Sequence, residues 1–463
     1  MPTSMLNLAR DLRTAIDAQA SRAQGSDLAK ETVDLLVSAN LFGVMSPKEV
    51  GGAELPVNEL LDVFAEVARA DGSAGWCLMA GASTVAYFGA YAEEPVVGEL
   101  FADGIPLAAG QFAPNGIGTP DGDGYRINGN YQFGSGMSYA DWVGAGFLVL
   151  PEEGSDAPAR YLFGITPREG VDVKENWDVL GLVNTASYDY VMNDVYVPKQ
   201  ATFLFAAPTR RRGGPIFEVG VIGLTAIGHA GFAIGVVRRA LDELRAIAKT
   251  KARMGAGVAL KDSERFLHSL GTLESRFHSA TAWVHRVFAE LESDVHATGK
   301  VNVKLCNVVR QATVHVTQEG ADIVREAYLL AGTTGLRDGA LQRCFRDIHA
   351  GSQHFFASPA STLDYARELM ADTPDAGVPF KDSGFLADIS RRLRRLVPWL
   401  GCREPFAGFC WSESCSCILL PRRKFTAGRM SRDACTSLRI WVRSRCSTVP
   451  TRRRVRKRQR DAF

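Results

Sequence analysis

The chain has little of what most familiar enzyme chemistry is built from. Only three of its nine cysteines, Cys77, Cys306 and Cys344, fall within the first 380 of 463 residues. That is too few for a disulfide framework or a thiolate metal cluster. That region has no CxxC pair, the chain has no HExxH, and its eight histidines are scattered, which argues against a zinc hydrolase. A GxSxG elbow is missing, and no P-loop or GxGxxG opens a helix after a strand, so α/β-hydrolases and Rossmann oxidoreductases are disfavoured. The opening stretch MPTSMLNLARDLRTAID has no apolar h-region, which leads us to expect a cytoplasmic protein. No internal repeat of 20–50 residues is evident.

Long uncharged runs are also scarce. One, Val219–Val237, has 19 residues without a formal charge and is long enough to cross a bilayer. Its five glycines and one histidine, and the amphipathic VVRRALDELRAIA that continues from it, favour a buried bundle helix instead.

What is present is ordinary for a globular protein: 46% hydrophobic and 22% charged residues, and enough length for two or three domains. The net charge of +2 hides a division. Residues 381–463 hold 21 Lys and Arg against 6 Asp and Glu, together with six cysteines. This basic tail has weak periodicity and no obvious core, so it reads as disordered or as a non-native extension. A nucleic-acid or membrane-surface arm is the other use for such a composition. We expect neither partner.

Residues 1–107 pattern as helices, with Val33, Leu36, Val37 and Leu41 at helical spacing and again in ELLDVFAEVARA (59–70), interrupted by a loop at 47–52. Residues 108–212 change period. Short apolar or alternating runs (YRINGNYQF, WVGAGFLVL, YLFGIT, YDYVMNDVYV) separated by Gly, Pro, Asp and Asn predict a small β-barrel or sandwich. Residues 213–380 return to long helices, predicted over 219–249, 262–295, 301–331 and 339–356.

The string LFGVMSPKEVGGAELPVNELLDVFAEVARADGSAGW (41–76), the stretches YQFGSGMSYADW (131–142) and GLVNTASYDYVMNDVYVP (181–198), and the helical–β–helical order resemble the acyl-CoA dehydrogenase-like superfamily. The nearer likeness is to its two-component flavin-dependent monooxygenases. The resemblance covers roughly residues 20–370 and implies an α+β fold: an N-terminal helical domain, a middle β domain and a C-terminal four-helix bundle. It also implies a homotetramer, and reduced FMN or FAD supplied by diffusion from a separate flavin reductase.

By the same resemblance, Phe133-Gly134-Ser135-Gly136 matches the F-x-S-G loop that lies on the flavin, with Ser135 near N5 and Phe133 packing beside the ring. Gly332, Thr333 and Thr334 match a Gly-rich helix junction that approaches the flavin of a neighbouring subunit. Lys251-Ala252-Arg253-Met254-Gly255 resembles an R-x-x-F-G element facing the cofactor phosphates, with Lys251 in the arginine's place and without its bidentate fork.

RCFRDIHAGSQHFF (343–356) carries the reaction class. In acyl-CoA dehydrogenases a catalytic Glu stands eight residues beyond the Arg-Asp pair. Counted from Asp347 that place is Phe355, which cannot accept a proton. The oxygenases instead place a histidine at the position of His354, where a neutral imidazole manages the proton of a C4a-(hydro)peroxyflavin.

Phenol-hydroxylating members often carry further histidines where this chain has Tyr139 and the stretch from Thr84 to Tyr87. Trp76, Tyr87, Phe112 and Tyr139 remain as candidate walls of an aromatic substrate pocket. The resemblance thus implies hydroxylation of an aromatic or polycyclic small molecule. Two rivals are an acyl-CoA dehydrogenase with a displaced base and a catalytically silent flavin- or ligand-binding relative.

Overall fold

The computed structural model describes residues 4–22, 25–152, 155, 157–252 and 258–370. The basic tail 381–463 lies outside the described residues, as do Arg253, Met254 and Gly255 of the KARMG segment.

Five helices come first: α1 (Met5–Ala20), α2 (Lys30–Ser38), α3 (Val57–Ala70), α4 (Gly72–Tyr91) and α5 (Glu94–Leu100). Seven strands follow: β1 (Ala108–Asp121), β2 (Gly124–Gly134), β3 (Trp142–Val149), β4 (Arg160–Pro167), β5 (Asp172–Lys174), β6 (Tyr188–Pro198) and β7 (Thr202–Leu204). The remaining helices are α6 (Gly220–Thr250), α7 (Glu264–Thr298), α8 (Val303–Ala331), α9 (Ala340–Gly351) and α10 (Pro359–Leu369).

The strands form one sheet in the order β5-β6-β2-β1-β3-β4-β7, antiparallel except for the β1–β3 pair. The sheet curls on itself. Tyr190 on β6 donates its phenol hydrogen to Gly144 O on β3 at 2.7 Å, although β2 and β1 stand between those strands in the pairing order.

Helix α4 is the element on which the rest converges. Asp71 starts it by accepting from Ala74 N at 2.9 Å, a side-chain cap for one of the free amides of the first turn. All but one of its residues are buried, because α3, α6, α9 and β1 cover it from different sides. That is the pattern of a helix hydrophobic all round.

The uncharged run around Val219–Val237 folds as the first half of α6, and its most apolar stretch is 94% buried inside the protein. Its glycines explain the composition: a Cβ at Gly235 would stand 2.2 Å from Ala65 O on α3. The two helices therefore meet backbone to backbone.

The helix expected over 339–356 ends earlier, at Gly351. Ser352 Oγ donates to His349 O, and His354 takes an extended conformation (φ −65°, ψ 149°) that opens a short 3-10 turn, Phe355–Ala357. Gly351, the last helical residue, packs so close to Phe232 that a Cβ there would stand 2.5 Å from its ring. His354 therefore stands at a helix end and not within a helix.

Candidate active site

The two sequence stretches of the β domain meet at a bulge. Between β2 and β6, Tyr131 pairs with Tyr190 and Gly134 with Tyr188, so β2 carries one residue more than its partner. A bulge of this kind turns the chain and re-aims its side chains. Phe133 absorbs it with φ +61° and leaves its ring 59% exposed, edge-on to Trp177. Two further non-glycine residues with positive φ, Leu182 and Ala186, lie directly across on the companion stretch. Backbone held this way costs on the order of 1–3 kcal/mol per residue and gathers at functional sites.

Behind the bulge, Ser135 is buried. Gly136, at φ +81°, donates its amide to Thr185 O at 2.8 Å and ties the loop to the facing segment. Ser135 Oγ accepts from Trp76 Nε1 at 3.0 Å and bonds Ser187 Oγ at 2.8 Å. Ser187 Oγ bonds Thr185 Oγ1 at 2.7 Å, and Thr185 Oγ1 donates to Leu182 O at 2.9 Å.

The polarity of this chain follows from counting hydrogens. Each hydroxyl has one, and the carbonyl at the end only accepts. Thr185 therefore accepts from Ser187, and Ser187 accepts from Ser135. Ser135 has spent its hydrogen and keeps a lone pair. Leu182, at the far end, is itself held by Asp347, whose Oδ1 accepts from Leu182 N at 2.7 Å. Burial, and then the neighbouring Asp71 carboxylate, raises the Asp347 carboxyl well above the ordinary aspartate range.

Trp76 joins this network to the bundle. Its ring meets His354 at 5.4 Å, Phe232 at 5.0 Å and His229 at 5.7 Å, each edge to face. His354 accepts from Phe356 N on Nδ1 at 3.4 Å, which assigns the hydrogen to Nε2. Burial pushes its imidazole down to about 4, so it stays neutral at working pH. Phe355, at the expected base position, packs edge-on against Phe112 at 5.9 Å.

Trp76, Phe133, Ser135, Gly136 and His354 thus belong to one connected cluster, with Phe112 at its border through Phe355. Tyr139 lies against Gly136, its phenol raised far above the ordinary range by burial and by Cys77. Tyr87 is elsewhere: its hydroxyl pairs with Thr225 on α6 and its ring packs on Phe163 of β4. It serves there as a satisfied core tyrosine and not as a pocket wall beside His354.

Lys251 and Gly332–Thr334 form a second group. Lys251 Nζ donates to Ala331 O and, at 2.9 Å, to Thr334 Oγ1. Its ammonium caps the C-terminus of α8, favourable for a cation, and fixes the exposed turn where Gly332 has φ +57°. Lys251 is thus tied to the very junction that the sequence pairs with it, Gly332–Thr334. Thr333 is exposed beside it.

Sequence reasoning missed Thr185 and Ser187, although both stand in the quoted companion stretch at the period-two spacing that puts them on one face. It also missed His229, which the apolar run of α6 concealed.

A reduced flavin fits these residues. An exposed aromatic ring held out by a bulge offers a face for a planar ring system, and, two residues on, the buried hydroxyl chain ends in an acceptor. Arranged together, the residues can hold a hydrogen at Ser135, offer one from His354 Nε2, and keep both within an aromatic surround that excludes water.

The chain is similar to known proteins in both sequence and fold. Residues 227–359 match the family model for the acyl-CoA dehydrogenase C-terminal domain. The chain is 29% identical to an indole-3-acetate monooxygenase of Pseudomonas putida over 338 residues, 71% of this chain and 84% of that protein. The fold is similar to XiaF from Streptomyces sp. in complex with FADH2 and glycerol, with TM-score 0.73 and 19% identity over 81% of this chain and 96% of the other. It is likewise similar to TdsC from Paenibacillus sp. A11-2 in complex with FMN and indole, with TM-score 0.68 and 20% identity over 81% and 97%.

Proposed function

We propose that this chain, a member of the acyl-CoA dehydrogenase-like superfamily, is the oxygenase component of a flavin-dependent monooxygenase acting on an aromatic small molecule. The observation that carries this reading is the exchange at the helix end. Where a dehydrogenase needs a carboxylate there is Phe355 against Phe112, and the adjacent His354 is linked through Trp76 to Ser135.

A bound reduced flavin supplies the two electrons with which O2 is divided between product and water. The chain's own residues hold and shield it. Phe133 would pack against the ring system, and Ser135 would accept the hydrogen on N5, the role left to it by the polarity of the hydroxyl chain. His354, neutral and carrying its hydrogen on Nε2, would donate toward the reacting oxygen. Lys251 holds the 332–334 turn in place.

The reading extends to reduced FMN or FAD delivered by a separate reductase, to a cytoplasmic setting and to a four-chain assembly. Leu329, Leu336 and Leu363, all exposed on the outer helices and turns, give apolar surface for another copy to cover.

The test is anaerobic titration with reduced FMN and reduced FAD, followed by mixing with O2 while absorbance is followed in the near ultraviolet. A transient that outlives the decay of free reduced flavin supports the reading. Direct reoxidation at the free-flavin rate, with tight binding, would favour a silent flavin-binding relative.

A further inference from the structure

Two lines of contact in the site meet at one carbonyl. Leu182 O accepts from Thr185 Oγ1 at 2.9 Å and from Thr185 N at 3.3 Å, and so anchors the hydroxyl chain that runs to Ser135. The same oxygen accepts from Trp177 Nε1 at 3.0 Å. Trp177 in turn stands edge-on to Phe133, with 6.2 Å between the ring centroids. The buried acceptor and the exposed ring therefore both depend on Leu182, a residue held at φ +57°.

A leucine keeps such a conformation only where its surroundings impose it, and here α9 does so. Asp347 Oδ1 accepts from Leu182 N at 2.7 Å. Gly181 rests on the helix backbone: a Cβ there would stand 2.1 Å from Arg346 O and 3.0 Å from Asp347 N. The other Asp347 oxygen reaches the start of α4, since a Cβ at Gly72 would lie 2.5 Å from Oδ2. Gly72 is one turn before Trp76 on that helix. A carboxyl with 5% of its surface exposed and Asp71 beside it is costly to bury, and what it holds is this junction.

We propose that Asp347 is a positioning residue: through Leu182 it sets the placement of Ser135 and of Phe133 together. The inference rests on the oxygenase reading only for saying that these two groups meet a flavin. Asp347 transfers no hydrogen in it. Its carboxyl joins α9, the 181–182 turn and the start of α4, so His354 at the end of α9 and Trp76 on α4 are referred to the same point. Without that acceptor the Leu182 amide is unpaired in a buried place, the turn relaxes, and Thr185 and Trp177 move with it.

The experiment is hydrogen–deuterium exchange of the full chain without flavin, read by mass spectrometry on peptides from 131–142 and 177–190. The informative amide is that of Gly136, which donates to Thr185 O at 2.8 Å and reports on the turn from its far side. Asp347→Ala should speed exchange there about tenfold or more. Asp347→Asn, which keeps an oxygen for Leu182 N, should recover most of the protection. Val284→Ala, a truncation on the buried face of α7, controls for lost overall stability and should leave these peptides as protected relative to the bundle as in wild type. Anaerobic titration with reduced FMN is the second measurement: Asp347→Ala should bind about tenfold more weakly, and Asp347→Asn within about threefold of wild type. Should Asp347→Ala fail to fold, Asp347→Ser, too short to reach Leu182 N, takes its place. Unchanged exchange at Gly136, equal loosening in Val284→Ala, no recovery in Asp347→Asn, or wild-type flavin affinity in Asp347→Ala would overturn the proposal. The predicted exchange pattern in a wild type that binds no reduced flavin would support the placement by Asp347 and count against the oxygenase reading alone.

Discussion

Trp76 donates its indole hydrogen to Ser135 Oγ at 3.0 Å, and this one bond joins the central helix to the bulged strand. Because the same indole stands edge-on to His354, the loop of the β domain and the helix end of the bundle are held in register by a single side chain.

Trp76→Phe keeps the ring and deletes the donor. We expect a stability loss of about 1–2 kcal/mol, the cost of one buried hydrogen bond and the orphaned acceptor it leaves. Urea unfolding measures it. A variant with wild-type stability would mean that Ser135 is held by its strand alone.

Asp347 anchors the other end of the hydroxyl chain through Leu182 N. Its folded-state carboxyl is raised above its unfolded value, so the fold binds its proton more tightly than the unfolded chain does. The stabilisation this gives is complete below the unfolded value and is lost as pH rises through the folded one. Asp347→Asn keeps an acceptor for Leu182 N and cannot ionise. Its stability relative to wild type should therefore improve between pH 5 and pH 8, by roughly 1 kcal/mol or more. Asp347→Ala, without an acceptor, should lose about 1–3 kcal/mol at pH 5 and, because it too cannot ionise, less at pH 8.

His354 gives the opposite slope. Its folded value near 4 lies below the ordinary histidine range, so on acidification the unfolded chain takes up a proton that the fold refuses. Stability should fall as pH drops from about 6.5 towards 4, and His354→Gln should flatten that part of the profile. By the same logic, steps that depend on neutral His354 should be independent of pH from about 6 to 9. A sharp inflection near pH 6.5 that disappears in His354→Gln would show the imidazole to be solvated.

Much of the fold was legible because its signals are local. The change from period 3.6 to period 2 and back marks the element order, and the four long helices fall within a few residues of their expected ends except at Gly351. That break has no signal in the local pattern, although Gly351 itself is where the helix meets Phe232 most closely. The site was half legible. Ser135 and His354 stand in motifs, and Trp76 stands in the 41–76 string. What joins them does not show in sequence, because Trp76, Ser135, Ser187 and Asp347 meet only when four separate elements pack. Tyr87 shows the complementary limit: aromatic type alone does not say where a hydroxyl finds its partner, which for this one is Thr225 in the core.

Reaction class is testable by what the enzyme fails to do. With Phe355 in the place of a carboxylate, no side chain there can remove an α-proton. A panel of short-, medium- and long-chain acyl-CoAs with an electron acceptor should give no turnover above the flavin blank. Turnover of even one would replace the oxygenase reading with a dehydrogenase using a displaced base.

The sharpest separation lies between Ser135 and His354, which hold different hydrogens. Ser135 has donated its own to Ser187, so a remaining lone pair is what it can offer; on the proposed reading that lone pair would retain the hydrogen on N5 of a bound reduced flavin. Loss of that hydrogen would release oxygen as peroxide, so on this proposal Ser135 would govern how long the oxygenated state lasts. His354 can offer a hydrogen from Nε2 and would govern how readily that state forms. In stopped-flow mixing, Ser135→Ala should form the near-ultraviolet transient at close to the wild-type rate. The transient should then decay about tenfold faster or more, one lost hydrogen bond to a charge-developing group, with more hydrogen peroxide per flavin oxidised. Ser187→Ala should behave in between, because it frees the Ser135 hydroxyl to turn its hydrogen outward. His354→Ala should instead slow or abolish formation while leaving reduced-flavin affinity within about threefold of wild type, which is below 1 kcal/mol. Formation and decay at wild-type rates in both Ser135→Ala and His354→Ala would place the oxygen chemistry somewhere other than between these two side chains.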